Sequence, residues 1–101
     1  MFARLTAYLP EGAAAECVLR APQPGLIGRA PPADLLLAHP SVSRRHAEFR
    51  RDAHGVKVRD VGSLNGTYVN RDRIDEVQLT NGDEVQIGKY RLVFFSSHPE
   101  S

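Results

Sequence analysis

With a single cysteine, Cys17, the chain cannot close an internal disulfide, so its fold has to stand on packing alone. It has no apolar run long enough for a signal peptide or a membrane-spanning helix, which points to a cytoplasmic protein without a membrane partner. It lacks charge of one sign: 13 Lys and Arg stand against 12 Asp and Glu, a formal net charge of +1. That balance, with no aromatic platform beside Arg44-Arg45 or Arg50-Arg51, argues against nucleic acid as the partner. A helical apolar stripe is missing too. PEGAAAE has room for one turn at most, and ADLLLAH is hemmed in by Pro31, Pro32 and Pro40. There are no repeats and no low-complexity tract.

What is present is a succession of short strand-like runs: RLTAYL, CVLR, LIGR, DLLLA, HAEFR, VKVRD, TYVN, EVQIG and YRLVFF. Turn material such as PEG, APQPG, APPA, RDAHG, VGSLNG and TNGD separates them. This spacing predicts a single all-β domain of the sandwich type. A chain of 101 residues buries roughly 60–70% of its unfolded surface, enough for one core. In HAEFR, Ala47 and Phe49 fall on one face and Glu48 and Arg50 on the other. RLVFF is apolar nearly throughout and is expected to be a central strand covered on both sides. Asn81-Gly82 is expected to turn a tight hairpin between QLT and DEVQI. Asn65-Gly66 could do the same, but it sits within DVGSLNGTYVN, richer in small polar groups than a hairpin needs. The domain is expected to span 1–95, with 96–101 as a tail or the start of a linker.

The cations are mostly Arg, whose planar fork suits carboxylate or phosphate. Three polar clusters lie between strands: Gly28-Arg29, Ser43-Arg44-Arg45-His46 and Ser63-Leu64-Asn65-Gly66-Thr67. Loops of a sandwich gather at its two ends. Brought together at one end, these clusters would form a pocket of guanidinium, hydroxyl and amide donors suited to a phosphate dianion. Rival chemistries fare less well. Ser43, His46 and Asp60 could be imagined as a hydrolytic triad, but no nucleophile elbow surrounds the serine, so no enzyme is expected. His39, His46, His54, His98 and Cys17 lack the close pairing of a zinc site, so neither metal nor cofactor is expected.

These blocks resemble a known family. Gly28-Arg29, Ser43-x-x-His46, Asn65-Gly66-Thr67-x-x-Asn70 and the closing NGDEVQIG look like the signature of the forkhead-associated (FHA) domain, from about Leu26 to Phe95. VSRRHAEFR, DVGSLNGTYVN and NGDEVQIGKYRLVFF are especially similar to the small actinobacterial FHA regulators that Ser/Thr kinases control and that act on 2-oxoglutarate metabolism. The resemblance implies an FHA-type β-sandwich of about eleven mostly antiparallel strands, with its binding loops at one end. It implies recognition of phosphothreonine in an extended peptide, so the partner would be a phosphothreonine-containing protein, a Ser/Thr kinase or its substrate.

By the same resemblance the phosphate falls to Arg29 and Ser43, the latter through its hydroxyl and its backbone N–H. Arg44 reaches the phosphate or the peptide backbone. Asn65 holds the peptide main chain after the phosphothreonine. Gly28, His46, Gly66 and Thr67 support the loops, His46 as a buried brace. Leu64 departs from a common variant in which Thr precedes the Asn, which removes one hydroxyl near the phosphate. Thr6 lies in the expected first strand, not in an N-terminal extension of the kind that those regulators fold into their own pocket. Binding in trans is therefore expected. The alternative within the family is an unphosphorylated folded partner bound through the same loop end.

Overall fold

The structure is a computed structural model that describes residues 2–8, 14–18 and 25–97. Period-two alternation organises it. In β5 (Ala47–Asp52) and β6 (Gly55–Asp60), Ala47, Phe49, Val56 and Val58 point inward and Glu48, Arg50, Lys57 and Arg59 outward. These strands form the centre of one sheet, ordered β4-β3-β5-β6-β9, with β3 at Gly25–Gly28, β4 at Leu35–Leu36 and β9 at Glu76–Gln78. The other sheet is ordered β2-β1-β11-β10-β7-β8. Its strands are β1 (Phe2–Tyr8), β2 (Ala14–Val18), β7 (Thr67–Val69), β8 (Asp72–Ile74), β10 (Glu84–Ile87) and β11 (Tyr90–Ser97). Every ladder among the described residues is antiparallel except β3 with β4. The all-β sandwich of eleven strands expected from the sequence is the one observed.

The core lies between the two inner faces. Leu5, Val85, Ile87, Leu92 and Phe94 from one sheet meet Ile27, Phe49, Val56 and Val58 from the other, all at most 1% exposed. Each such side chain contributes roughly 1.5–3 kcal/mol relative to exposure. The loop residues Leu37, Val42 and Leu79 join this cluster, so the connections between strands are anchored by apolar side chains as well as by polar ones.

Four local expectations are corrected. β11 is central, but only Tyr90, Leu92 and Phe94 face the core. Val93 and Phe95 lie half-buried on the outer face, where the Arg4 guanidinium stands 4.9 Å from the Phe95 ring centroid. Asn81-Gly82 turns no β-hairpin. β9 pairs with β6 and β10 with β7 and β11, so this turn, with Gly82 at φ 92°, carries the chain from one sheet to the other. A two-residue hairpin that the sequence reading did not mark is Asn70-Arg71, both at positive φ (49° and 77°), between Val69 and its register partner Asp72. β2 starts at Ala14, so the end of PEGAAAE is extended along β1 and not helical; residues 11–13, Leu19 and Arg20 lie outside the described residues. Finally, β11 runs to Ser97, because Ser96 and Ser97 pair with Ala3 and Phe2; residues 98–101 of the expected tail lie outside the described residues.

Candidate functional site

Three connections crowd one end of the sandwich: 29–34 after β3, 37–46 before β5, and 61–66 between β6 and β7. What fixes them to one another is a set of hydrogen bonds between residues distant in sequence. His46 is the centre of that set and is fully buried. Its backbone N–H donates to Ile27 O (2.9 Å) and its carbonyl accepts from Val61 N–H (3.1 Å), so β3 and the 61–66 loop are both tied to it. Its ring Nδ1 accepts the Ser43 N–H at 3.1 Å, and its Nε2 meets the Gly66 carbonyl at 2.8 Å. A backbone N–H can only donate and a carbonyl can only accept. The ring is therefore the neutral tautomer with its proton on Nε2. His46 thus joins the two loops, and one expected detail is corrected: the Ser43 N–H is spent on the imidazole.

Ser43 keeps its hydroxyl. Oγ accepts the Leu64 N–H at 3.0 Å, which leaves the hydroxyl proton to donate outward. Arg29 is tied to the same place: its N–H donates to Ser43 O at 3.0 Å and its Nε to Val42 O at 2.8 Å. With Nε so held, the outer nitrogens of the guanidinium have no partner among the described residues. Asn65 Nδ2 donates to Ser41 O at 2.9 Å, leaving its second N–H and its Oδ1 on the exposed side. Arg29, Ser43 and Asn65 thus stand on one rim. Arg44 is on it as well, exposed, with its carbonyl packed on Gly28. A Cβ on Gly28 would lie inside contact distance of that oxygen, and 2.9 Å from its carbon. Leu64, 85% exposed, is the crest between Ser43 and Asn65.

Asp60 organises the 61–66 loop. Its Oδ1 accepts the N–H groups of Gly62 (2.8 Å) and Ser63 (2.9 Å), and its Oδ2 accepts the hydroxyls of Ser63 and, at 2.8 Å, the buried Thr67. Ser63 Oγ in turn accepts Gly66 N–H at 2.9 Å. Burial on its own pushes the Asp60 carboxyl up, but the donors from Ser63, Thr67 and Gly62 outweigh it and hold the carboxyl below its ordinary value. Gly66 takes φ 91°, which favours glycine. Ser41 does the corresponding work opposite: its carbonyl holds Asn65, and its Oγ accepts Lys89 N–H at 3.0 Å and lies 2.8 Å from His39 Nδ1.

Sequence reasoning missed Asp60, Ser63 and Ser41 as supports. The DxxS spacing of Asp60 and Ser63, that of a turn closed by a side-chain cap, was the available signal. Ser41 carried none, since its partners lie 24 and 48 residues away. Ser43, His46 and Asp60 form no hydrolytic triad, because His46 Nδ1 takes the Ser43 main chain and Asp60 is engaged by its own loop. Among the described residues no group of three or more His, Cys, Asp or Glu could hold a metal.

A two-sheet sandwich with an arginine, a serine and an asparagine gathered at one end, braced by a buried histidine, defines a class of recognition domain. The chain belongs to the FHA domain family, whose model matches residues 25–88. Its relatives include a Corynebacterium jeikeium (strain K411) protein named oxoglutarate dehydrogenase inhibitor, 50% identical over 92% of this chain and 72% of its own length. The glycogen accumulation regulator GarA of Mycolicibacterium smegmatis is 51% identical over 87% of this chain, which spans 62% of that regulator's length. Among solved structures, an FHA domain studied for phosphothreonine-dependent interactions is 33% identical and superposes with a TM-score of 0.84, covering 94% of this chain and 98% of its own. No helix among the described residues is long and apolar enough to cross a membrane.

Proposed function

We propose that the chain is a phosphothreonine-peptide-binding module of bacterial Ser/Thr-kinase signalling that docks a phosphorylated partner protein in trans, without catalysing a reaction. One observation carries the reading. The outer nitrogens of Arg29 and the hydroxyl proton of Ser43 have no partner among the described residues, while Arg29 Nε, the Arg29 N–H and the Ser43 Oγ lone pair are engaged in holding the two side chains in place. Two donors with fixed positions and no protein acceptor suit a dianionic phosphate. Arg44 adds a second cation on the same rim. Asn65, one N–H already on Ser41, offers its remaining donor and its acceptor to an extended main chain.

The family supports this reading, and the studied FHA domain is one whose interactions depend on phosphothreonine. The relatives named as inhibitor and regulator support a binding role; the partner in this reading is a phosphothreonine-containing protein, a Ser/Thr kinase or its substrate. The test is calorimetric titration with a phosphothreonine peptide and its unmodified twin. The phosphorylated form is expected to bind and the twin not; equal affinities would overturn the reading. A second reading, an unphosphorylated folded partner on the same loop end, is favoured by one feature: Leu64, 85% exposed at the crest, offers an apolar anchor. Leu64→Ala separates the two. It would abolish capture of a folded, unmodified partner and leave the phosphate contact in place.

A further inference from the structure

The turn that carries Ser41 is held from both sides by His39. The His39 carbonyl accepts Val42 N–H at 2.9 Å, which orients the planar peptide unit whose oxygen is Ser41 O. The His39 ring reaches two residues on, where Nδ1 accepts Ser41 N–H at 3.0 Å. An Asn or Asp side chain makes that bond in an Asx-turn. Ser41 Oγ accepts Lys89 N–H at 3.0 Å and stands 2.8 Å from the same Nδ1, so its proton can lie between the two. A backbone N–H only donates, so Nδ1 bears no proton and the neutral ring carries its own on Nε2. Ser41 O, oriented in this way, accepts Asn65 Nδ2 at 2.9 Å. A histidine therefore stands behind the grip on Asn65. Asn in its place would keep the acceptor at every pH; an imidazole loses it on protonation.

We propose that His39 is a positioning residue for Asn65, and that its protonation loosens the hold of this rim on an extended ligand. The inference rests on the phosphopeptide reading of the site and makes a proton its regulator. A proton arriving on Nδ1 occupies the lone pair. The charged ring can turn that proton onto Ser41 Oγ, but it then faces Ser41 N–H donor to donor, and the turn loses the bond that seats Ser41. Around the ring, Tyr90 of β11 stands edge-on with centroids 6.2 Å apart, and Lys89 precedes it in the turn after β10. Arg29 reaches Val42 O from the end of β3, and Arg44 follows in the same loop. No Asp or Glu among the described residues pairs with the ring, so the charged form gains no carboxylate for the bond it loses. Imidazole is the side chain whose ordinary charge change falls between about pH 5 and 8. The neutral ring is the competent one, so binding is complete above that change and weakens as pH falls through it. The apparent dissociation constant rises as the inverse of the neutral fraction.

The experiment is calorimetric titration of the wild type, His39→Asn and His39→Ala with one phosphothreonine peptide between about pH 7.5 and 5. The second ionisation of the ligand phosphate, near about pH 6, falls in the same window. It is common to all three proteins, as is His46, so the difference between their profiles isolates His39. The wild type is expected to lose roughly three- to tenfold more affinity across the window than His39→Asn, whose acceptor does not titrate. His39→Ala should bind roughly three- to tenfold more weakly than His39→Asn at the upper end and share its shallower profile. Parallel profiles for the wild type and His39→Asn overturn the proposal. A second measurement needs no ligand. In the free wild type, the NMR resonances of the Asn65 side-chain amide should shift with the same midpoint as those of the His39 ring, and in His39→Asn they should hold still. An Asn65 amide indifferent to the His39 ring overturns the positioning role. Failure of every phosphopeptide to bind at neutral pH overturns the phosphopeptide reading instead, and the amide resonances still decide on His39.

Discussion

The Nε2–H of His46 meets the carbonyl oxygen of Gly66 at 2.8 Å, across twenty residues of chain. With Ser43 N–H on the opposite ring nitrogen, this one imidazole spaces the 37–46 loop from the 61–66 loop. The spacing of the two loops is therefore set beneath the surface, by a fully buried side chain.

His46→Ala should both destabilise the fold and weaken binding. It leaves the Ser43 N–H and the Gly66 carbonyl without partners, at about 1–3 kcal/mol each, and opens a cavity beside them. Urea denaturation is expected to show a loss of about 3 kcal/mol. Loss of phosphopeptide affinity at a temperature where the variant remains folded would locate the second effect in loop spacing. Full affinity in a folded His46→Ala variant would show that the loops hold their positions without the brace.

Arg29 tests the phosphate contact directly. Arg29→Ala removes two outer nitrogens from the rim, each able to make a charge-assisted bond of about 1.5–3 kcal/mol. Phosphopeptide affinity should fall at least about tenfold, since 1.4 kcal/mol is a factor of about ten. Lys57, on the outer face of the five-stranded sheet opposite Arg50, is the control: Lys57→Ala should leave affinity nearly unchanged. Equal losses in the two variants would mean that only overall charge is being read.

Much of this was legible in the sequence because it is local or periodic. Ala47/Phe49 against Glu48/Arg50 announces β5, and the Gly-Arg, Ser-x-x-His and Asn-Gly-Thr blocks mark the rim. Other features escaped for physical reasons. Asp72–Ile74 and Glu76–Gln78 are three residues each, too short to show alternation, and are strands only because β7 and β6 offer them partners. Asn81-Gly82 has the composition of a hairpin turn, yet Val77 packs on the core and pairs with Val58, which holds β9 in the opposite sheet from β10. An arginine at φ 77° is not what a hairpin turn usually carries, so Asn70-Arg71 went unseen. The backbone of Asn70 is held by N–H to Glu84 O (2.8 Å) and its side chain by Glu84 N–H and Asp83, contacts made only once β10 is in place.

Gly28 makes a steric prediction. Gly28→Ala would drive a methyl group into the Arg44 carbonyl, and only a backbone shift of the 37–46 loop relieves it. Overpacking of this kind costs about 1–3 kcal/mol. The shift would also carry Ser43 and Arg44 away from Arg29. Thermal denaturation should record the loss in stability, and titration a larger proportional loss in phosphopeptide binding than Lys57→Ala produces. An unshifted melting temperature would mean that the loop gives way at no cost.

Asp60 makes a prediction about pH. Its carboxyl titrates below the ordinary value in the folded protein, because four donors that outweigh its burial stabilise the charged form. A carboxylate depressed in this way contributes stability that is complete above its unfolded value, about 3.9, and disappears as pH falls through the lower folded value. The 61–66 loop should therefore loosen in acid below about pH 4, and phosphopeptide affinity should fall there more steeply than protonation of the phosphate alone requires. Asp60→Asn keeps one acceptor oxygen, so it cannot serve both the Ser63 and Thr67 hydroxyls and the Gly62 and Ser63 N–H groups, and it should lose about 1–3 kcal/mol at neutral pH. Its stability should then be flatter than the wild type's across the acid window. Parallel acid profiles for the two proteins would show that the acid sensitivity arises at other carboxylates and that Asp60 organises the loop without controlling it.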